Sequence, residues 1–218
     1  MDLRSLLSLR GSRRRHRQVF SRIFHQNLWG NPESVSGPGS TQERGKSFAG
    51  DVIDLVQKLG VRTLLDAPCG DFNWAAELAA AVDAYVGVDV VEELIAGNTE
   101  RHASANRRFL TCDLTRDPLP KADLILSRDC LVHFSFRDIR AALENFRRSG
   151  AEYLLTTTFV DRATNDDIRT GGWRVLNLQA PPFHFGEPLA LIDERCMHTG
   201  GIYRDKRLGL WAMKSIPT

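Results

Sequence analysis

Three apolar runs in this 218-residue chain end in or beside a carboxylate, and the spacing of those acids suggests what they hold. The first run, Leu64-Leu65-Asp66, continues as Ala67-Pro68-Cys69-Gly70-Asp71-Phe72-Asn73-Trp74 and enters helix formers from Trp74 to Ala81. A strand, a tight turn and a helix N-terminus in that order form a crevice where strand ends and exposed amides converge. Nineteen residues after Gly70, Asp89 closes Tyr85-Val86-Gly87-Val88-Asp89, a spacing that suits a carboxylate accepting from a ribose diol. Asp113 stands in the third run, Phe109 to Leu114. The fourth, Ala122 to Ser127, leads into Arg128-Asp129-Cys130-Leu131-Val132-His133. His133 titrates near neutrality when unperturbed, so it is the candidate general base, and its alternative is a helix-entry histidine satisfied by backbone. Asp129 is a candidate for orienting an acceptor or binding an amine, unless it pairs internally with Arg128.

Together these residues resemble motif I and the acidic loop after it in class I S-adenosylmethionine-dependent methyltransferases, over roughly residues 43 to 214. The resemblance implies an α/β fold, a doubly wound Rossmann-like sheet of seven mostly parallel strands with one antiparallel strand and helices on both faces. It also implies S-adenosylmethionine as cofactor and methyl transfer to an oxygen or nitrogen of a small molecule or glycan. Asp66, Ala67, Pro68, Gly70, Asp71, Asp89, Val90 and Arg128 would bind the cofactor, with Asp113 and the Leu114 amide at its adenine. Asp113 reads equally as a loop acid capping its own turn. The family's run is acid-x-Gly-x-Gly-x-Gly, and here Pro68 and Phe72 replace the outer glycines. Backbone approach to a diphosphate is thereby restricted, which argues against a dinucleotide. A looser likeness is to the thiopurine methyltransferase branch. Methyl transfer asks mainly for alignment, but an acceptor that carries a proton must also lose it.

These residues need elements to position them. Val19, Phe20, Ile23, Phe24 and Leu28 have helical spacing between Arg13 and Trp29, with arginines on the other face. Asn31 to Ser40, rich in Gly and Pro, is a shaped loop. Ser40 and Glu43 have capping-box spacing for a helix that Gly60 ends. Residues 1–42 are thus a basic helix and loop ahead of a domain over 43–218. Trp29, Ser36, Gly37, Gly39 and Ser40 would cover the cofactor as a lid, or Trp29 merely anchors the first helix. Ser135 and Asp138 cap a later helix, Tyr153 to Phe159 is a fifth strand, and Leu189 to Glu194 and Leu208 to Met213 are the last two. Residues 160–188 lack periodicity yet carry aromatics, so they read as an acceptor-binding loop using Trp173, Asn177, Phe183 and His184.

A formal charge of +2 makes no case for nucleic acid, although arginines crowd the first residues as they do in presequences and solvated basic helices. Four cysteines without Cys-x-x-Cys spacing indicate neither zinc nor a disulfide framework, so a reducing, cytoplasmic setting is expected, with no metal. No run has membrane-span length, and oligomeric state is not legible. Gly39 to Gly45-Lys46-Ser47 mimics a phosphate loop, with one residue too many between the glycines and no strand before it. Rival readings are an NAD-dependent Rossmann oxidoreductase, which would use Asp89, and a non-catalytic RNA-binding protein using the basic start.

Overall fold

A computed structural model describes residues 16–197 and 199–217, apart from the side chain of Thr199. The arginine cluster at residues 10–15 and His198 lie outside the described residues. Among the described residues seven strands form one sheet: β1 (Thr63–Asp66), β2 (Ala84–Asp89), β3 (Arg107–Thr111), β4 (Leu124–Ser127), β5 (Tyr153–Phe159), β6 (Ala190–Asp193) and β7 (Lys206–Ala212). Their order is β3-β2-β1-β4-β5-β7-β6, with β7 antiparallel to both neighbours and every other pairing parallel. This is the expected Rossmann-like sheet.

Parallel strands are buried on both faces, and the side-chain alternation sorts the apolar residues into two cores. Leu64, Tyr85, Leu124, Leu126 and Leu155 face Val52 and Val56 of α3 (Ala49–Lys58) and Leu78 of α4 (Ala76–Ala80). Leu65, Val86, Val88, Ile125 and Leu154 face Ile139, Ala142, Leu143 and Phe146 of α6 (Phe136–Arg148). α5 (Glu92–His102) joins β2 to β3. Ser135 caps α6 as its spacing predicts, accepting from the Asp138 amide.

Several boundaries depart from expectation. The first helix, α1, spans residues 16–25 of the described chain, and Asn27 and Gly30 end it with positive φ. Ser40 does not cap the next helix. It belongs to a 3-10 turn, and Thr41 caps α2 (Gln42–Lys46) by accepting from the Arg44 amide. The expected single helix breaks between α2 and α3, where Ser47 Oγ donates to the Arg44 carbonyl at 2.7 Å. β3 stops at Thr111, so Asp113 sits in the loop beyond a strand rather than ending it. Residues 160–188 hold no regular element, yet Leu176, Leu178, Phe183 and Phe185 are buried in the core.

Candidate active site

The carboxyl ends of β1, β2 and β4 open into one crevice, which collects most residues that the sequence singled out. Asp66, Pro68, Gly70, Asp89 and Val90 form its floor, Asp113 and Leu114 one end, and Arg128, Asp129 and His133 the other wall. Trp29, Ser36 and Ser40 roof it. The turn after β1 is held closely: the Cys69 amide donates to the Val88 carbonyl at 2.9 Å, and Asn98 Nδ2 to the Gly70 carbonyl at 2.7 Å. Gly70 has φ +52°, and a Cβ there would overlap Ser36 Oγ. Phe72 is buried against Tyr85 and Phe109, filling the place of the third motif glycine.

The roof is tied to that turn by hydrogen bonds. The Asp71 amide donates to Ser36 Oγ at 3.0 Å, the Val35 amide to Asp71 Oδ2 at 3.0 Å, and Asn73 Nδ2 to the Ser40 carbonyl at 3.1 Å. Asp71 therefore fastens the roof and does not line the crevice. Gly37 lies behind Trp29, and a Cβ on Gly39 would stand 2.9 Å from Asp129 Oδ2. These two glycines let the backbone pass and are not lining residues themselves. Ala67 is buried, with its amide on the Leu126 carbonyl at 2.8 Å, and serves the core.

Charge is unevenly distributed in the crevice. Burial pushes the Asp89 carboxyl up to about 6, against the Val91 amide at 3.0 Å, which favours the ionised form. Burial also raises Asp66, to about 7, although Tyr85 OH donates to it at 2.5 Å. Asp129 behaves oppositely. Burial would raise it, but the Lys206 ammonium at 2.7 Å and the Arg128 guanidinium hold it well below the usual carboxylate range. Arg128 itself pairs mainly with the fully buried Glu194, Nη2 to Oε2 at 2.6 Å, and lies over the rings of Phe48 and Trp74. His133 Nδ1 is 2.7 Å from the Gly172 carbonyl, which can only accept, so Nδ1 carries the proton and Nε2 is the basic nitrogen. Burial lowers this imidazole below its ordinary value.

Comparison with known proteins agrees with this geometry. Residues 64–151 match the model of a family described as a methyltransferase domain. Over those residues the chain is similar to methyltransferase domains. Uncharacterized methyltransferases of Mycobacterium bovis and Mycobacterium tuberculosis are 30% identical over 126 residues, 57% of this chain and 62% of theirs. The chain thus spans about three fifths of the length of these curated relatives. The solved N-methyltransferase NodS of Bradyrhizobium japonicum, in complex with S-adenosyl-L-homocysteine, has the same fold. Its TM-score is 0.51 at 16% identity, over 63% of this chain and 73% of that one. The looser likeness to thiopurine methyltransferases gains nothing from these matches.

The four expected acceptor residues stay outside the crevice. Trp173 packs edge-on against Phe159 and Tyr203, and Asn177 holds the Arg162 carbonyl at 2.8 Å. Phe183 is a core residue, and His184 lies on a separate concavity beside Arg140 and Arg147. Their segment instead braces the wall that carries His133: the Gly171 amide donates to the His133 carbonyl at 2.9 Å, and Arg174 Nη1 and Nη2 bind the Leu131 and Phe134 carbonyls at 2.9 Å each. Phe20 and Phe24 of α1 line the crevice with Trp29, and sequence reasoning had given them only a packing role. His16, Glu194 and Lys206 were missed altogether, since each finds its partners far away in sequence.

Deleting residues 1–41 should therefore weaken S-adenosylhomocysteine binding at least tenfold, on the order of the loss of several buried contacts. Calorimetry on the folded truncation checks this, and unchanged affinity would show that the roof does not cover the ligand.

Proposed function

We propose that the protein transfers a methyl group from S-adenosylmethionine to an oxygen or nitrogen of a small-molecule or glycan acceptor. The observation that carries this reading is the continuity of one crevice from the Gly70 turn and Asp89 to His133, whose Nδ1 is held by a carbonyl. When bound, the cofactor supplies an electrophilic methyl on a sulfonium, and the chain's own residues hold it and manage the proton. Asp89 is set to accept from a ribose diol, Leu114 and Cys112 offer apolar surface to a base, and Arg128 with the Ser40 hydroxyl suits a carboxylate, while the Ser36 hydroxyl donates to Asp71. With Phe72 plugging the turn, a cofactor without a diphosphate fits better than a dinucleotide, which weighs against the NAD-dependent alternative. The RNA-binding alternative rests on the arginine-rich start, of which only Arg17 and Arg22 are described, and Arg17 pairs with Glu92.

Trp29, with its ring 4.9 Å from that of His133, and the phenylalanines of α1 shield the reacting groups from water. His133 Nε2 accepts the acceptor's proton, while Asp129, kept ionised by Lys206, orients the acceptor or binds its amine. Among the described residues no helix is long and apolar enough to cross a membrane.

Asp89→Ala should weaken S-adenosylhomocysteine binding by about 1–3 kcal/mol, the usual loss for a charge-assisted hydrogen bond. Titration calorimetry on the folded variant measures it. Equal affinity in the two proteins would remove the ribose role and the support it gives to the cofactor reading.

A further inference from the structure

His16, near the start of the described chain, is buried, and both of its ring nitrogens are engaged. Nδ1 lies 3.1 Å and 3.3 Å from the two oxygens of Asp113 and 3.3 Å from Thr115 Oγ1, while Nε2 lies 3.0 Å from Asp138 Oδ2. An ionised carboxylate only accepts, and a neutral imidazole has a single N–H. The arrangement is therefore complete only when both nitrogens are protonated. Burial alone would lower the imidazole, but the bonds and charges of Asp113 and Asp138 outweigh it and raise His16 to about 9.

The contacts extend in both directions from the ring. Asp113 stands beside Cys112 and Leu114 at the end of the crevice suited to the base, and its carboxylate is taken by His16, Thr115 and, at 3.1 Å, Arg116. It also accepts from the Thr115 amide at 3.0 Å, as the reading of Asp113 as a loop acid capping its own turn expects, so few of its lone pairs are left for an adenine amino group. Asp138 Oδ2 also accepts from Thr170 Oγ1 at 2.5 Å, and Thr170 Oγ1 accepts from the Ser135 amide at 2.9 Å. The next two residues, Gly171 and Gly172, hold His133 by its carbonyl and its Nδ1. The His16 ring further stacks on Phe134, at 6.0 Å and 11°.

We propose that His16 is a positioning residue: as an imidazolium bridging Asp113 and Asp138, it docks α1 over the base end of the crevice and, through Asp138 and Thr170, fixes the turn that aims His133. This rests on the crevice being the cofactor site. The charged groups around the ring are Asp113 and Asp138, with Arg116 on Asp113 and Asp117 accepting from the Asp113 amide. On the outer side of α1, Arg17 pairs with Glu92 of α5 at 2.5 Å. Because the folded pKa is raised above the unfolded one, the docking contribution is fully present below the ordinary histidine value and is lost as pH rises through about 9.

The test compares the full-length protein with His16→Gln and with His16→Gln/Asp138→Asn, in which an uncharged amide pair can replace the ionic bridge. S-adenosylhomocysteine affinity is measured by calorimetry from about pH 7 to about pH 10, alongside hydrogen exchange of the amides of residues 16–25. The ligand's own ammonium titrates in the same range for all three proteins, so differences between them isolate His16. Near pH 7, His16→Gln should bind roughly tenfold more weakly than the parent, converge with it near pH 10, and regain most of its affinity in the double variant. Parallel pH curves for the parent and His16→Gln would overturn the proposal. If the parent binds no ligand at any pH, the cofactor reading fails instead, and exchange decides the bridge alone. Faster exchange in His16→Gln near pH 7, with the gap closing near pH 10, upholds it, and equal exchange refutes it.

Discussion

His133→Ala is expected to lower turnover by about 10²–10⁴-fold, the usual contribution of a general base, while S-adenosylhomocysteine affinity stays within about twofold. The expectation follows from the tautomer. The Gly172 carbonyl at 2.7 Å fixes the proton on Nδ1 and leaves the lone pair on Nε2, in a residue that lines the crevice. Burial lowers the imidazole pKa, so the basic form persists below the ordinary histidine value and the acid limb of the rate profile should fall below about pH 6.5. Asp129 is a weak substitute, because Lys206 and Arg128 stabilise its ionised form and so lower its appetite for a proton. Steady-state rates across pH for parent and variant decide the matter, once an acceptor is found by following labelled methyl into cell-extract fractions. Intact turnover in the variant would return His133 to the role of a helix-entry residue held by backbone.

Glu194→Ala should destabilise the fold by about 3–5 kcal/mol, the range found when one partner of a buried ion pair is removed. Glu194 is fully buried, and its Oε2 receives Arg128 Nε at 3.1 Å, Arg128 Nη2 at 2.6 Å and Lys206 Nζ at 3.1 Å. Without it, two buried cations share Asp129 alone. The change also loosens the crevice wall, since Arg128 is held against Phe48 and Trp74 while Lys206 restrains Asp129. Urea unfolding monitored by tryptophan fluorescence gives the number. A loss below about 1 kcal/mol would mean that water enters and solvates the network in solution.

The sheet was legible because buried parallel strands are short apolar runs bounded by turn residues, and because Asp66 and Asp89 mark where two of them stop. Gly70 and the Ser135 cap were legible for a similar reason: the signal lies within a few residues. Partners brought together by folding were not. His16 meets Asp113 and Asp138 across 97 and 122 residues, and nothing near it in sequence distinguishes it from a surface histidine on a basic helix. Phe183 and Asn177 failed in the other direction. An aperiodic segment does not reveal which side chains face inward, so residues that pack the core look the same as residues that would grip an acceptor. The helix break at Ser47 escaped because the side chain competes for a backbone carbonyl without altering the apolar pattern.

The distance along the chain between α1 and its anchor also has a consequence for synthesis. His16 leaves the ribosome 122 residues before Asp138, and at about 5–20 residues per second it waits roughly 6–25 s for that partner. During this interval Phe20 and Ile23, which pack inward in the finished protein, have no completed surface to cover them. A nascent chain halted before α6 is therefore the species expected to associate with chaperones that take up exposed apolar surface, and rare codons placed between the two segments would lengthen that exposure.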